Sequence, residues 1–252
     1  MSFSDEEIER YARHLVLSDV GGPGQQRLKA GRVAIVGLGG VGAPAALYLA
    51  AAGIGGLTLI DNDVVSLSNL QRQVLFSTDD PGRAKVEVGQ ARLHDLNPHV
   101  EVETRPAPLT ATNAEALLTD HQVVIDGTDD FGTRFAVNAA CVALGVPLVS
   151  GALGRWEGQV GVFHGRPCYR CLVPDIPPDA ETCARIGVIG ALAGVIGAMT
   201  ALEAIKIVVG AGRPLAGRLL LYDGLAGAAR TVSIPADPAC PVCSGLARAL
   251  PG

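Results

Sequence analysis

One segment, residues 32–73, constrains the fold of this 252-residue chain more than any other. It opens with residues 33–36 (VAIV), an apolar run rich in β-branched side chains that predicts a strand buried on both faces. The run continues into residues 37–42 (GLGGVG), a G-x-G-x-x-G pattern, and then into an Ala- and Leu-rich stretch that reaches about Ala52. This order predicts a strand, a tight glycine turn and a helix, the start of a Rossmann-like α/β unit.

A second predicted strand, residues 57–60, ends at Asp61, about 20 residues after the glycine turn. In this arrangement the glycines let the backbone approach phosphates, the helix N-terminus attracts their negative charge, and the acid can bind a ribose hydroxyl. The pattern therefore predicts a nucleotide site. Its backbone contacts are expected from Gly37, Gly39, Gly40 and Gly42. The alternative is that these glycines serve only close packing of strand and helix.

Polar residues continue beyond the second strand. Asp63 follows at once, Asn69, Arg72 and Gln73 lie in the stretch SNLQRQ, and Lys85 comes shortly afterwards in GRAK. Arginine and lysine neutralise the charge of transferring or departing phosphates. We therefore expect a nucleoside triphosphate with Mg²⁺ rather than the pyrophosphate bridge of a dinucleotide.

Two acids follow a further predicted strand, residues 123–126. Asp129 and Asp130 come after Gly-Thr, and the carboxyl ends of parallel strands meet at one crevice of an open sheet. We expect both acids to face the pocket of the glycine turn, where an acid can hold Mg²⁺ on the phosphates. At least one of them is also expected to cap a predicted helix at 131–144.

The N-terminal residues 4–19 predict one amphipathic helix that starts with Ser4 and Glu7 as a capping box. Arg13 lies on that helix, and its position alone indicates a solvated surface charge. Residues 21–26 (GGPGQQ) predict a loop. The remaining predicted elements are helices at 85–93 and about 112–119, and strands at about 100–104, 146–150 and 159–163.

A long apolar segment, residues 186–202, carries no charged side chain. It is barely long enough to span a membrane, and Glu203 and Lys206 interrupt its continuation. We interpret it as a buried helix, because the surrounding chain has the pattern of a globular protein. Its glycines share one helical stripe that permits close backbone packing: Gly187, Gly190, Gly194 and Gly197.

Composition narrows the class of protein. The chain is 48% hydrophobic and contains 32 glycines, which suits an α/β protein packed on small residues. Its net charge is −5 and it has no run of five basic residues, so we expect no nucleic-acid partner. The acidic N-terminus has no apolar stretch, so we expect no signal peptide, a cytoplasmic location and no membrane partner.

Four of the six cysteines form two C-x-x-C pairs: Cys168 with Cys171, and Cys240 with Cys243. A cytosolic protein is not expected to rely on disulfides, and two such pairs supply the four thiolates of a tetrahedral Zn²⁺ site. We expect a closed, structural zinc centre; the alternative is two separate redox motifs.

The two other cysteines differ in setting. Cys141 falls in the predicted helix at 131–144 and is expected to be a small core residue. Cys183 lies in a Pro- and Asp-rich loop before the long apolar segment, where a helix N-terminus can activate a thiol. Taken alone, Cys183 is more simply interpreted as incidental.

Together these motifs resemble the MoeB/ThiF family, bacterial relatives of the ubiquitin-activating enzymes. The resemblance covers nearly the whole chain, through YARHLVL, GLGGVG, LIDNDVVSLSNLQRQ, GRAKVE, DGTDDF, both C-x-x-C pairs and TCARIGVIGALAGVIGAMTALEAIK. The sequences of the segments VSLSNLQRQ and CYRCL are more similar to the molybdopterin-pathway members than to the thiamine-pathway members. We expect one α/β, Rossmann-like domain with a mostly parallel sheet, in which a nucleotide-binding half (1–150) precedes a carrier-binding half (151–252) with antiparallel strands and the zinc site.

The resemblance implies ATP-dependent adenylation of the C-terminal glycine of a small ubiquitin-like sulfur-carrier protein that ends in Gly-Gly. It implies a homodimer and, as sulfur donor, a cysteine desulfurase or a rhodanese. The implied ATP contacts fall on Gly39, Gly40, Asp61, Asn69, Arg72, Lys85 and Asp129. The zinc ligands of the family fall on the four paired cysteines.

Two further roles come from the resemblance alone. Arg13 matches an arginine that acts on the other subunit's site, and Cys183 matches a cysteine that in some members forms a covalent sulfur link with the carrier. Asp130 is a departure, because the family usually has asparagine there. We expect the extra negative charge to weaken phosphate binding or to alter metal preference.

Two rival functions use the same nucleotide site. An NAD-dependent oxidoreductase gives no role to SNLQRQ or GRAK, and a nucleotide-binding scaffold without turnover is supported only by Asp130. Adenylation has modest chemical requirements, because a C-terminal carboxylate with a pKa of about 3.5 is already an ionised nucleophile at pH 7. It needs in-line placement and neutralisation of the departing pyrophosphate. The carrier and its pathway stay open.

Overall fold

A computed structural model describes residues 2–176 and 187–246 of the chain. Its strands are β1 (Arg32–Val36), β2 (Gly56–Ile60), β3 (Glu101–Arg105), β4 (Val123–Asp126), β5 (Leu148–Gly154), β6 (Glu157–Phe163), β7 (Arg218–Asp223) and β8 (Ala228–Ser233). They form one sheet in the order β3-β2-β1-β4-β5-β6-β7-β8. The neighbours from β3 to β5 are parallel and those from β5 to β8 are antiparallel. This arrangement confirms the expected fold class.

Helices flank both faces of the sheet. In the described ranges they are α1 (Asp5–Arg10), α2 (Ala12–Leu15), α3 (Gly21–Ala30), α4 (Gly42–Ala52), α5 (Lys85–Leu96), α6 (Ala114–Leu118), α7 (Phe131–Leu144), α8 (Tyr169–Leu172) and α9 (Gly190–Val209). One hydrophobic core joins the sheet to α3, α4, α5 and α9, and a second joins the other face to α6 and α7. The central strands are therefore covered on both sides.

Strand β1 shows why its sequence is apolar throughout. Val33 and Ile35 belong to one core, whereas Ala34 and Val36 belong to the other. Successive side chains of a strand point to opposite faces, so a strand between two helical layers has no polar face. Strand β1 pairs in parallel with β2 and β4, so the carboxyl ends of the three strands lie at one edge of the sheet.

The N-terminal helix begins as predicted but is shorter. Ser4 Oγ accepts a hydrogen bond from the Glu7 backbone N–H at 3.2 Å, and the Glu7 carboxylate accepts one from Ser4 N at 2.9 Å, which confirms the capping box. A single helix over 4–19 is wrong, because the backbone leaves helical geometry at Tyr11. The Tyr11 side chain is buried, and its oxygen accepts a hydrogen bond from Asn97 Nδ2 at 2.9 Å.

The predicted loop at 21–26 is also wrong, since these residues form the first part of α3. Proline at position 23 is compatible with this helix because it lies in the first turn, where backbone N–H groups have no intrahelical acceptor. Gly24 packs closely, since a Cβ there would lie 3.0 Å from side-chain atoms of both Val20 and Val209. One of the glycines that suggested a loop, Gly24, instead allows α3 to approach α9.

The other predicted elements occur close to their expected positions. Helix α7 matches its predicted bounds, and α5 extends three residues beyond its prediction. The strand expected at 146–150 is observed as β5, which starts later and extends to Gly154 because it continues into an antiparallel hairpin with β6.

Helix α9 contains most of the long apolar segment and continues to Val209. It is long and apolar enough to cross a membrane by length and composition, and 56% of its most apolar window is buried. It packs against the sheet and α4, and its two charged residues pair with each other, Glu203 Oε1 to Lys206 Nζ at 2.6 Å. These contacts agree with the prediction that the segment is a buried helix.

The predicted glycine stripe is only partly correct. A Cβ at Gly190 would lie 1.9 Å from the Gln71 carbonyl oxygen, and one at Gly197 would lie 2.3 Å from Pro44 Cγ, so both positions require glycine. Gly194 faces no described atom within 4 Å, and Gly187 precedes the helix with a φ of +71°. Close packing therefore explains Gly190 and Gly197 but not Gly187 or Gly194.

Candidate active site

A cleft of about 500 Å³ opens at the carboxyl ends of β1, β2 and β4. Most of the predicted site residues line it: Gly37, Gly39, Gly40, Asp61, Asp63, Asn69, Arg72, Gln73, Lys85, Asp129 and Asp130. They come from separate parts of the sequence and meet because parallel strands end at the same edge of the sheet. Gly42 lies behind the lining, as the first residue of α4.

The glycine turn has a geometry that other residues cannot adopt. Gly37 has a φ of +84°, in the left-handed region, and a Cβ on Gly42 would lie 1.9 Å from the Gly37 carbonyl oxygen. Asp61 holds this turn in place, because its Oδ2 accepts a hydrogen bond from the Leu38 backbone N–H at 2.6 Å. The acid at the end of β2 thus both faces the cleft and fixes the turn.

Lys85 is a buried cation beside two acids. Its Nζ lies 2.8 Å from Asp63 Oδ2 and 4.0 Å from Asp61 Oδ2, and its side chain is only 5% exposed. Burial raises the pKa of Asp61, and the positive charge of Lys85 opposes that rise. The Lys85 backbone N–H donates to the Asp63 carbonyl at 3.0 Å, so the loop after β2 and the start of α5 are joined.

Two side chains of the SNLQRQ stretch reach the glycine turn. Arg72 donates to the Ser68 carbonyl at 3.0 Å, and its Cδ lies 3.7 Å from the position that a Cβ on Gly40 would take. Gln73 is 4% exposed, and its Oε1 has no hydrogen-bond partner among the described residues. A buried polar atom without a partner is rare, and a bound ligand is one group that can supply the missing hydrogen bond.

The two acids after β4 have different settings. Asp130 Oδ2 accepts the Thr133 backbone N–H at 2.7 Å, so Asp130 is the N-cap of α7 and the predicted cap is confirmed. This hydrogen bond is the main reason that the pKa of Asp130 lies below its ordinary value. Asp129 is exposed and lines the cleft.

The wall of the cleft contains a buried polar cluster that the sequence analysis did not find. Arg134 contacts Asp126 and Ser150, and all three side chains are almost fully buried. Asp126 ends an apolar strand and could have been recognised by that position. Arg134 gave no comparable signal, because an arginine on a predicted helix is usually a surface residue.

Arg13 and Cys183 are the remaining predicted site residues. Arg13 lies within the described ranges, is exposed on α2 and does not line the cleft. Cys183 falls outside the described ranges.

The four paired cysteines meet at one point, with all Sγ atoms within 4.8 Å of one another. Ligands of a tetrahedral Zn²⁺ with bonds of about 2.3 Å lie about 3.8 Å apart. The Cys168–Cys240 and Cys171–Cys243 Sγ distances are 3.7 and 3.5 Å, so the four thiols fit zinc and are not two separate redox motifs.

Neighbouring polar groups support this centre. Asn138 Nδ2 donates to Cys168 Sγ at 3.6 Å, and Asn138 Oδ1 accepts from the Tyr169 N–H at 2.8 Å. Such outer partners orient metal ligands. Cys141 is buried in the core, as expected, and burial raises the pKa of its thiol.

Comparison with known proteins shows similarity over nearly the whole chain. The ThiF family model matches residues 11–242. A sulfur carrier protein adenylyltransferase of Thermus thermophilus is 47% identical over 252 residues, which cover 96% of this chain and 93% of that protein. A molybdopterin-synthase adenylyltransferase of Escherichia coli is 46% identical over 243 residues, covering 95% and 98% respectively.

Longer relatives and solved structures agree with this similarity. An adenylyltransferase and sulfurtransferase MOCS3 of Anopheles gambiae is 49% identical over 246 residues, which cover 96% of this chain but only 56% of that protein. The crystal structure of E. coli MccB with MccA-N7isoASN superposes with a TM-score of 0.84 at 25% identity, covering 97% of this chain and 76% of that one.

Proposed function

The chain belongs to the ThiF family, and on that premise we propose that it is an ATP-dependent adenylyltransferase acting on a small ubiquitin-like sulfur-carrier protein. In the reaction, a carboxylate oxygen of the carrier's C-terminal glycine attacks the α-phosphorus of ATP. The bond from the α-phosphorus to the bridging oxygen breaks, and pyrophosphate leaves with its electron pair. The product is an acyl-adenylate, ready for attack by a sulfur nucleophile.

The observation that carries this proposal is the charge pattern of the cleft. Lys85 and Arg72 lie beside the glycine turn, and Asp129 lies at the end of the neighbouring strand β4. This pattern suits a triphosphate, because two cations and a metal-binding acid can neutralise a departing pyrophosphate. The nucleophile is already ionised, so the site has to supply placement and charge neutralisation rather than a general base.

Each side chain has a role in this account. The glycine turn and the N-terminus of α4 bind phosphates, Asp61 binds a ribose hydroxyl, and Asp63 holds Lys85. Asn69 and Gln73 supply polar contacts to the nucleotide. Asp129 holds Mg²⁺, which supplies charge neutralisation on the phosphates.

The account requires a second copy of the chain. Arg13 lies outside the lining of its own cleft, so we propose that it enters the cleft of the partner in a homodimer. An arginine supplied in this way can be worth about 10³–10⁵ in rate. The zinc centre has a structural role, and residues 151–252 carry the carrier-binding surface.

Pathway and sulfur transfer are further parts of the proposal. The name of one relative, a molybdopterin-synthase adenylyltransferase, favours sulfur transfer to molybdenum-cofactor biosynthesis. Thiamine biosynthesis is the alternative pathway, and the proposed location is the cytoplasm. Cys183 is proposed to form the covalent link with the carrier, and a cysteine desulfurase or rhodanese is the proposed donor.

Isotope exchange between ATP and pyrophosphate tests the proposal. Candidate carriers ending in Gly-Gly are added one at a time, and exchange is expected only with the correct carrier. The same carrier without its terminal glycine is the matched control. Tight ATP binding without exchange for any carrier would contradict catalysis, and tighter binding of NADH than of ATP–Mg²⁺ would contradict the nucleotide assignment.

A further inference from the structure

Arg134 is almost fully buried in the wall of the cleft, and its two terminal nitrogens face several acceptors. Its NH1 donates to Ser150 Oγ at 3.1 Å and lies 3.4 Å from Asp126 Oδ2. Its NH2 donates to the carbonyls of Thr128 and Gly151, the latter at 3.0 Å. The two terminal nitrogens carry four N–H donors, and four acceptors face them. Three of these N–H groups donate hydrogen bonds within the protein, and NH1 also forms the ion pair with Asp126.

These contacts fasten Thr128 from both ends. Asp126 Oδ1 accepts from the Thr128 backbone N–H at 3.0 Å and from its hydroxyl at 2.7 Å, while the Thr128 carbonyl accepts from Arg134. Ser150 closes the ring, because its hydroxyl donates to Asp126 Oδ2 at 3.0 Å. Thr128 also packs against the glycine turn, since its N lies 3.1 Å from the position of a Cβ on Gly37.

The residue that follows Thr128 is Asp129. Its backbone is therefore fixed from the N-terminal side by Arg134 and Asp126, and from the C-terminal side by Asp130, the cap of α7. Arg134 is itself close enough to Asp129 for the two charges to interact. A planar guanidinium can hold two carbonyls and a carboxylate at once, which the single ammonium group of lysine cannot do with the same geometry.

We propose that Arg134 is a positioning residue that sets Asp129 for the divalent cation of the bound nucleotide. The inference rests on the proposed function for the role of Asp129. Arg134 acts through Thr128 rather than by touching the substrate, so its loss should reduce the contribution of Mg²⁺ to nucleotide binding. Metal-free ATP, which depends on the glycine turn and the cleft cations, should bind as before.

The test measures the dissociation constant of ATP by calorimetry, with Mg²⁺ and with a chelator instead of Mg²⁺. The dissociation constant with chelator divided by that with Mg²⁺ reports how much the metal strengthens ATP binding. In Arg134→Met we expect this ratio to fall by about 10- to 100-fold, the usual effect of removing a group that orients a metal ligand. Arg27→Met is the matched control, because Arg27 also donates to a backbone carbonyl, that of Val209 at 2.7 Å, but away from the cleft.

Two results would overturn the proposal. One is a folded Arg134→Met protein with an unchanged ratio, including the case in which both constants rise equally, as a purely structural role predicts. The other is a wild-type protein whose ATP affinity does not depend on Mg²⁺. If Arg134→Met does not fold, Ser150→Ala decides, since it removes only one member of the ring. The calorimetric test uses no carrier protein. Its result is therefore independent of whether any carrier is adenylated, and the two proposals can fail separately.

Discussion

Asp130 combines a structural contact with a charge beside the proposed metal site, and substitutions separate the two. Asparagine caps helices as well as aspartate does, so Asp130→Asn should leave the free energy of unfolding nearly unchanged. Asp130→Ala should lose about 1 kcal/mol, because the Thr133 N–H loses its acceptor. Removal of the charge in Asp130→Asn should tighten ATP–Mg²⁺ binding. Denaturant unfolding and calorimetry measure these effects, and weaker binding by Asp130→Asn would contradict the charge argument.

The lowered pKa of Asp130 adds a pH dependence. A carboxylate whose pKa is depressed by folding stabilises the protein above its unfolded value of about 3.8, and that stability is lost as the pH falls through the folded pKa. Asp130→Asn lacks this pH dependence, because an amide cap does not titrate. The free energy of unfolding, measured from neutral pH to below the ordinary aspartate pKa, should therefore fall more steeply in the wild type than in Asp130→Asn. Identical profiles would show that the cap does not depend on the charge.

Arg13 is predicted to be required for turnover but not for folding. Arg13→Ala should abolish carrier-dependent pyrophosphate exchange and leave the thermal unfolding and the oligomeric state unchanged, because the side chain is exposed. Near-normal exchange would contradict its role.

Mixing two inactive variants tests whether Arg13 acts on the partner. A dimer of one Arg13→Ala and one Lys85→Ala subunit retains one complete cleft if Arg13 acts on the partner, and none if it acts within its own subunit. Random reassembly should then restore about a quarter of wild-type exchange. No recovery from the mixture, with dimers present, would place Arg13 in its own subunit's site.

At the scale of the element, α9 offers a matched pair of glycines. Gly197→Ala should destabilise the protein by about 1–3 kcal/mol, because its Cβ would lie 2.3 Å from Pro44 Cγ and 2.7 Å from the Val41 carbonyl oxygen. Gly194→Ala should stabilise it by up to about 1 kcal/mol, because alanine favours the helix and no described atom lies within 4 Å. Denaturant unfolding measures both; equal effects would contradict the observed packing of α9.

The elements also show what sequence can predict. Local periodicity was sufficient for β1, α4 and α7, where apolar pattern, turn residues and burial agree. It failed at α3, where glycine and proline predicted a loop although the backbone continues as a helix packed on α9. Tertiary contact, which no local pattern contains, decided that segment.

The candidate site shows a similar division. The cleft side chains were found because each follows a strand or a glycine turn in the sequence, and the topology then brings them together. Arg134 and Ser150 were missed because their importance depends on contacts across the sheet with Asp126. A single sequence shows which residues can carry chemistry more readily than which residues hold them in place.

At the scale of the whole molecule, the cysteine centre joins the end of the described chain to its middle. We expect one zinc per chain by elemental analysis, and a lower melting temperature when a chelator removes it, since metal affinity contributes directly to folding. Cys240→Ser should lose the metal. The control Cys141→Ala should keep it, because Cys141 lies in the hydrophobic core with α6 and α7 and not in the cluster of paired cysteines. A zinc-free wild type with an unchanged melting temperature would contradict the assignment.

The central claim is that the cleft adenylates the C-terminus of a carrier protein. The most direct measurement is the intact mass of each candidate carrier after incubation with the protein, ATP and Mg²⁺. The account predicts an AMP-sized gain on one carrier, dependent on its terminal glycine and absent with Arg13→Ala. An unchanged mass for every carrier, despite tight ATP binding, would contradict it.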